Sequence, residues 1–254
     1  MNKKTAIFNI VVPILTVIVI FSVWLISSLS VADEIILPTP FAVFEEVIEL
    51  LKTNRFYQSY FNTLLRSVVA FLVSFVLAFI FAIISKFSSI LRKIIETIIP
   101  IIRALPTIAV VLLLVLWVDS SVAPVVVTTL VVLPTMYTSL LEAINEVDSD
   151  IIVMCKVYKI SLKRQIFEVY LPMILPTVIV AIGTGLSLNL KLMVAAEVLS
   201  STARSMGILL QESKIYFETA NMFALVLISV ITGLIFEVTS NVISKGLRRK
   251  RWLN

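Results

Sequence analysis

Apolar residues fall along this chain in six long stretches, and between the fourth and fifth the pattern changes character. The stretches are roughly Ala6–Leu29, Leu64–Ser85, Ile94–Val118, Val122–Ile144, Leu171–Ala196 and Ala220–Ile243. A helix crossing the ~30 Å hydrocarbon core of a bilayer needs about 20 mostly apolar residues. Each stretch meets that length, so the pattern predicts an all-α membrane protein with six transmembrane helices. The first follows Met1-Asn2-Lys3-Lys4 and ends near Ser30-Val31-Ala32, as a secretory signal would. Its apolar run exceeds the roughly 7–15 residues of a signal-peptide core, and it is expected to remain as a span.

The interruption runs from Asn145 to Pro176 and reads NEVDSDIIVMCKVYKISLKRQIFEVYLPMILP. Asp148 or Ser149 can cap a first helix, because a short side-chain oxygen satisfies free backbone N–H groups. Helical spacing then sets Ile151, Met154, Cys155 and Tyr158 on one face, with Lys156, Lys159 and Lys163 largely outside it. After Ser161 a second helix carries Ile166, Val169 and Tyr170 to Leu171-Pro172, where the next span begins. Two readings fit this pattern: a helix lying on the inner leaflet with its lysines toward anionic lipid, or a docking element for another protein.

Two shorter helices are expected outside the spans. Leu37-Pro38-Thr39-Pro40 leads into Phe41–Lys52, with proline presetting the first helical turn and Val43, Val47, Leu50 and Leu51 apolar. The segment Leu199–Thr219 reads as partly helical and lying on the membrane surface.

Composition narrows the chemistry. Of 254 residues, 59% are hydrophobic and 15% charged, where a soluble domain has about half and a quarter. There is no histidine and a single cysteine, so the commonest general base, proton relay and metal ligand is missing. No disulfide, metal site or cofactor is expected in this chain. No Ser/Lys pair or paired aspartates suggest an intramembrane enzyme. An ion-coupled secondary carrier is the alternative transporter class. It would need carboxylates inside the spans, where Glu237 is a fair candidate, and no inverted repeat of the kind found in such carriers is evident.

The basic residues orient the spans. Lys3 and Lys4, then Lys86, Arg92 and Lys93, then Lys156, Lys159, Lys163 and Arg164, then Lys245, Arg248, Arg249, Lys250 and Arg251 all fall on one side of a six-span chain. Cytoplasmic loops carry the excess of Lys and Arg. The insert and both termini are therefore expected in the cytoplasm, with the lipid bilayer as partner and no nucleic acid. Acidic Asp33, Glu34, Glu45, Glu46 and Glu49 lie on the other side.

The insert resembles the cytoplasmic motif of permease subunits in bacterial binding-protein-dependent ABC importers: EAA, three residues, Gly, nine residues, Ile-x-Leu-Pro. Val169-Tyr170-Leu171-Pro172 matches its end, and Pro176 follows. Val153-Met154-Cys155 stand at the EAA positions and Lys159 at the glycine. If that turn needs a positive φ, Lys159 is strained or the turn is rebuilt. Further stretches resemble the nitrate/sulfonate/taurine branch: Leu37-Pro38-Thr39-Pro40 with Phe41-Ala42-Val43, Asn62-Thr63-Leu64-Leu65-Arg66, Arg103-Ala104-Leu105-Pro106-Thr107, Lys191 to Glu197, and Met206-Gly207-Ile208-Leu209.

The resemblance implies a type I importer permease fold of the MetI-like kind, with a core of five spans and one extra N-terminal span. It divides the chain into an N-terminal helix at 1–30, an extracytoplasmic segment at 31–62 and a permease core at 63–254, with a coupling loop at 145–171. It implies a second permease copy, as a homodimer, two ATP-binding subunits that bind ATP and Mg, and an extracytoplasmic substrate-binding protein. The chain has no Gly-x-x-x-x-Gly-Lys-Ser/Thr loop and is not expected to be the ATPase. Ser149, Ile151, Met154, Cys155, Tyr158, Lys159 and Leu162 become the coupling residues, with Leu171 and Pro172 as the motif anchor.

Charges within the spans mark a second region. Arg103 is expected roughly 13 Å into the third span at ~1.5 Å per residue, and Lys191 lies in the fifth. Charges at membrane depth face a cavity or a partner. These two are candidates for an anion pathway, or else for ion pairs with Glu197 or Glu237. Arg66 and Glu197 are expected near the outer interface. Pro100, Pro106 and Pro134 can kink their helices.

Overall fold

The computed structural model describes residues 3–251, with side chains from Val11 to Leu247 except Lys156. The side chains of Lys3, Lys4, Lys156, Arg248, Arg249, Lys250 and Arg251, which entered the orientation argument, lie outside the described residues. All regular structure among the described residues is helical. In order, the elements are α1 (Lys3–Val31), α2 (Pro40–Leu50), α3 (Asn54–Phe87), α4 (Ser89–Ala104), α5 (Thr107–Val115), α6 (Ala123–Asn145), α7 (Ser149–Val157), α8 (Leu162–Arg164), α9 (Leu171–Ser200), α10 (Met206–Ile215) and α11 (Thr219–Arg251). A π-helical turn at Gln165–Tyr170 joins α8 to α9 without a break.

Five helical stretches are long and apolar enough to cross a membrane: Val11–Val31, Asn54–Phe87, Ala123–Asn145, Leu162–Ser200 and Thr219–Leu247. The expected third span, Ile94–Val118, is not one helix. It consists of α4 and α5, which meet at 84°. Proline disfavours helical geometry in the residue before it, and Leu105 accordingly turns extended (φ −66°, ψ 127°) ahead of Pro106. Pro100 and Pro134 stay inside continuous helices.

The chain packs as two compact units. The first comprises Met1–Gln58 and Leu209–Ile228. In it the Trp24 indole N–H donates to the Pro38 carbonyl at 3.1 Å and stacks on Phe223 at 5.8 Å between centroids. Ser28 Oγ donates to the Leu37 carbonyl at 2.8 Å. Thr39 caps α2, its Oγ1 accepting the Ala42 N–H at 3.2 Å, with Pro40 opening the helix. Arg55 Nη2 lies 2.6 Å from both carboxylate oxygens of Glu212.

The second unit comprises Ser59–Ile208 and Ser229–Asn254. Its core is built around α6, which packs most extensively on α9. Val132, Met136, Tyr137, Leu140 and Ile144 of α6 meet Phe71, Ala78 and Ala82 of α3, Tyr170 of the π turn, and Ile174 and Val178 at the start of α9. Polar side chains tie the same helices. Ser74 Oγ donates to the Thr129 carbonyl at 2.8 Å, and Asn189 Nδ2 donates to the Ser67 carbonyl at 2.6 Å. Such bonds are each worth on the order of 1 kcal/mol in a membrane bundle. Gly183 lets α9 and α11 meet closely: a Cβ there would lie 1.8 Å from Ser240 Oγ and 2.8 Å from the Phe236 carbonyl oxygen.

Candidate functional site

The insert folds into a short helix, a tight turn and a second helix fused to α9. Asp148 is the cap of α7: its Oδ1 accepts the Asp150 N–H at 2.9 Å. The inward side of α7 is fixed by Ile152, packed on the core beside buried Val147, and by Cys155, 5% exposed. The outward side presents Val153, Met154, Val157 and Tyr158, the last 72% exposed. This corrects the expected stripe of Ile151, Met154, Cys155 and Tyr158. Apolar residues occur on both sides of α7, and the docking of Ile152 turns the helix so that Cys155 faces in and Met154 and Tyr158 face out. Ile151 is half-buried at the boundary, and Ser149 and Leu162 are exposed.

At the turn, Lys159 adopts φ +52°. The Ile160 N–H donates to the Cys155 carbonyl at 2.9 Å, the six-to-one bond of a Schellman helix end, whose left-handed residue is usually glycine. For an L-residue with a Cβ this conformation costs roughly 1–2 kcal/mol. The glycine-type turn is thus kept with a lysine in it. Gln165 Nε2 closes the turn from the other side, donating to the Ile160 carbonyl at 2.7 Å.

Both ends of the insert are clamped to the end of α3. Lys86 Nζ donates to Asn145 Oδ1 at 3.0 Å and stands 5.9 Å over the Tyr170 ring. Phe87 meets the same ring edge-on at 5.8 Å. Leu171 and Pro172 open α9 directly after the π turn. Basic residues from two different connections are thereby gathered at one end of the unit.

The pathway candidates are not brought together. Arg103 is exposed in the last turn of α4, at the 84° bend rather than deep within a straight span, and its Nη2 reaches the Pro134 carbonyl oxygen at 3.5 Å. Lys191 is exposed on α9. Among the described residues neither forms an ion pair, and Glu237 forms none either. Two cavities, of about 300 and 440 Å³, lie in the first unit, and neither is lined by Arg103 or Lys191.

Sequence reasoning named Glu197 and Arg66 but not their pairing. Glu197 is fully buried, and its partner is Arg66: Nη1 donates to Glu197 Oε1 at 3.0 Å. Glu197 Oε2 accepts from Thr63 Oγ1 at 2.7 Å and from the Gly207 N–H at 3.4 Å. Thr63 Oγ1 in turn accepts the Met206 N–H at 2.9 Å, and Asn62 Nδ2 donates to the Arg204 carbonyl at 3.2 Å. The network pins α3 to the α9–α10 connection. A signal for it existed in Thr63, Ser67, Ala70 and Ser74, small residues at helical spacing that mark a close-packed face.

A bundle of apolar helices, broken at one span and carrying a clamped helix-turn-helix between α6 and α9, defines an integral membrane protein of the importer-permease fold. The sequence matches the family model for the binding-protein-dependent transport system inner membrane component over residues 74–251, and the chain belongs to that family. Solved structures agree on the fold. An inward-facing MetNI methionine ABC transporter aligns with TM-score 0.67 at 16% identity, over 76% of this chain and 96% of that one. An amino acid ABC transporter with histidines aligns with TM-score 0.62 at 15% identity, over 80% and 97%. A bacterial alginate ABC transporter in complex with alginate pentasaccharide-bound periplasmic protein aligns with TM-score 0.67 at 16% identity, over 96% of both chains. No curated protein matches the sequence.

Proposed function

We propose that this permease serves an ATP-driven importer of the nitrate/sulfonate/taurine branch, moving a small organic anion or zwitterion into the cytoplasm by alternating access. In this reading the chain pairs with a second permease copy, receives substrate from an extracytoplasmic binding protein, and is driven by two ATP-binding subunits. ATP and Mg are held by those subunits. The insert and both termini face the cytoplasm of a bacterial cell, following the excess of Lys and Arg.

The observation that carries this reading is the α7–α8 tip. Its outward face is apolar and exposed at Met154, Val157, Tyr158 and Leu162, while its base is locked to α3 and α6 through Lys86, Asn145 and Tyr170. A rigid, apolar knob joined without a break to a 39-residue helix can pass a push from a partner into the bundle. Ser149, Ile151 and Lys159 frame that tip, and Leu171 with Pro172 joins it to the span. Cys155 supports it from within.

The substrate class rests on Arg103 and Lys191, exposed cations on helices of the bundle. The alginate transporter, crystallised with a periplasmic protein carrying an alginate pentasaccharide, supports the proposal of a delivering partner. Reconstitution of the full chain with its ATP-binding and binding-protein partners tests the assignment. ATP-dependent uptake should be lost in a Met154→Asp, Tyr158→Asp double variant that still inserts and folds. Uptake at the unaltered rate in that variant would remove α7 from the coupling role. Identifying the ligand on the partner binding protein tests the substrate class; a neutral sugar would overturn it.

A further inference from the structure

Lys159 stands in a backbone conformation that glycine adopts freely and lysine does not. It is one of five non-glycine residues at positive φ among the described residues, with Ala32, Ser201, Arg204 and Phe217. Strained residues persist where the surrounding structure holds them. The surroundings here are explicit: the Ile160 N–H to Cys155 carbonyl bond and the Gln165 Nε2 to Ile160 carbonyl bond fix the turn on both sides. The result is an ammonium carried at the apex of the tip from a rigid Cα. Among the described residues no acid pairs with it. Lys163, on the next helix, is likewise exposed and unpaired among the described residues, whereas Arg164 is occupied by Glu168 at 3.0 Å. Next to the two lysines in the chain, Val157, Tyr158 and Leu162 are exposed.

We propose that Lys159 is a specificity contact of the docking tip: with Lys163 beside it, it recognises carboxylates on the rim of an apolar groove in the partner ATP-binding subunit. The proposal rests on the docking role of α7 and α8 given above. Rim charges set on-rate and partner choice more than bulk affinity, while the apolar centre excludes water. The fixed apex favours a protein partner over a lipid surface. Anionic headgroups are mobile and accept an ammonium from any nearby position, so they make no use of a fixed apex. The inward side of α7 is moreover already taken up by the protein core through Ile152 and Cys155.

The test uses the full-length chain in nanodiscs and the ATP-binding subunit that supports uptake with the wild-type chain. Lys159→Gly relieves the backbone penalty, so its thermal midpoint should not fall, yet its affinity for that subunit should drop about three- to tenfold at low salt. Its salt dependence should be shallower, and Lys159→Arg should retain wild-type binding. Equal affinity and equal salt dependence for Lys159→Gly and wild type would overturn the proposal. So would a Lys159→Gly defect that vanishes when phosphatidylglycerol is replaced by phosphatidylcholine, since the lysine would then act on lipid. Undiminished binding by Met154→Asp, Tyr158→Asp would instead show that the tip is not the docking element at all, a failure distinguishable from that of the lysine alone.

Discussion

Replacing Arg66 by methionine keeps most of the side-chain volume and leaves the Glu197 carboxylate fully buried without its counter-ion. What remains are one short bond from Thr63 Oγ1 at 2.7 Å and one long bond from the Gly207 N–H at 3.4 Å. Removing one partner of a buried ion pair costs about 3–5 kcal/mol, because the other charge is left uncompensated. The reverse change is milder. In Glu197→Gln the orphaned Arg66 side chain is 20% exposed and can reach water, and a neutral amide still accepts from Thr63, so a loss of about 1–2 kcal/mol is expected. The double variant removes both charges and should lose less than Arg66→Met alone. Reversible unfolding of the purified chain in mixed detergent micelles measures all three. Either an Arg66→Met loss below about 1 kcal/mol, or strict additivity in the cycle, would refute the role given to this pair.

Further outcomes follow from other contacts. Gly207→Ala would put a Cβ 2.4 Å from the Glu197 Cβ and 2.5 Å from the Val198 nitrogen. Overpacking of that kind costs about 1–3 kcal/mol, and a thermal midpoint equal to wild type would contradict the packing described. Lys86→Met removes the bond to Asn145 and the cation over Tyr170, and limited proteolysis should cut the 145–170 segment faster. Lys191→Met should reduce uptake of an anionic substrate with the ATPase rate retained; unchanged uptake removes Lys191 from the pathway.

Much of the fold was legible because membrane helices announce themselves by length and composition. The expected Val122–Ile144 is α6, Ala123–Asn145. The two-helix form of the insert, a cap at Asp148 or Ser149 and the unusual demand on Lys159 could also be read, since caps and left-handed turns are local; the structure places the cap at Asp148. Pro106 was one of three prolines able to kink a span, but that the break falls at Leu105 could not be chosen, because hydropathy is a sum over a window and runs unbroken through Pro106. The pairing of Arg66 with Glu197 joins residues 131 apart in sequence, and no local periodicity encodes such a partner. The phase of α7 was misjudged for a related reason. With valine, isoleucine or methionine on most of its circumference, the choice of inward face was made by the tertiary contact of Ile152, not by the pattern.

The π turn at Gln165–Tyr170 sets an angular register. Its closing bond, from the Leu171 N–H to the Ile166 carbonyl, spans one residue more than an α-helical bond, so this turn of the rod from Leu162 to Ser200 holds one residue more than an α-helical turn. An α-helix advances about 100° and 1.5 Å per residue. Deleting one residue there would let the turn close as an α-helix, removing the surplus residue from the wide turn while the helix on either side keeps its direction. The surplus residue therefore shifts the register between sequence and helix face: the side chains of Leu162–Arg164 stand about 100° from the faces that an unbroken α-helical count from α9 would assign them.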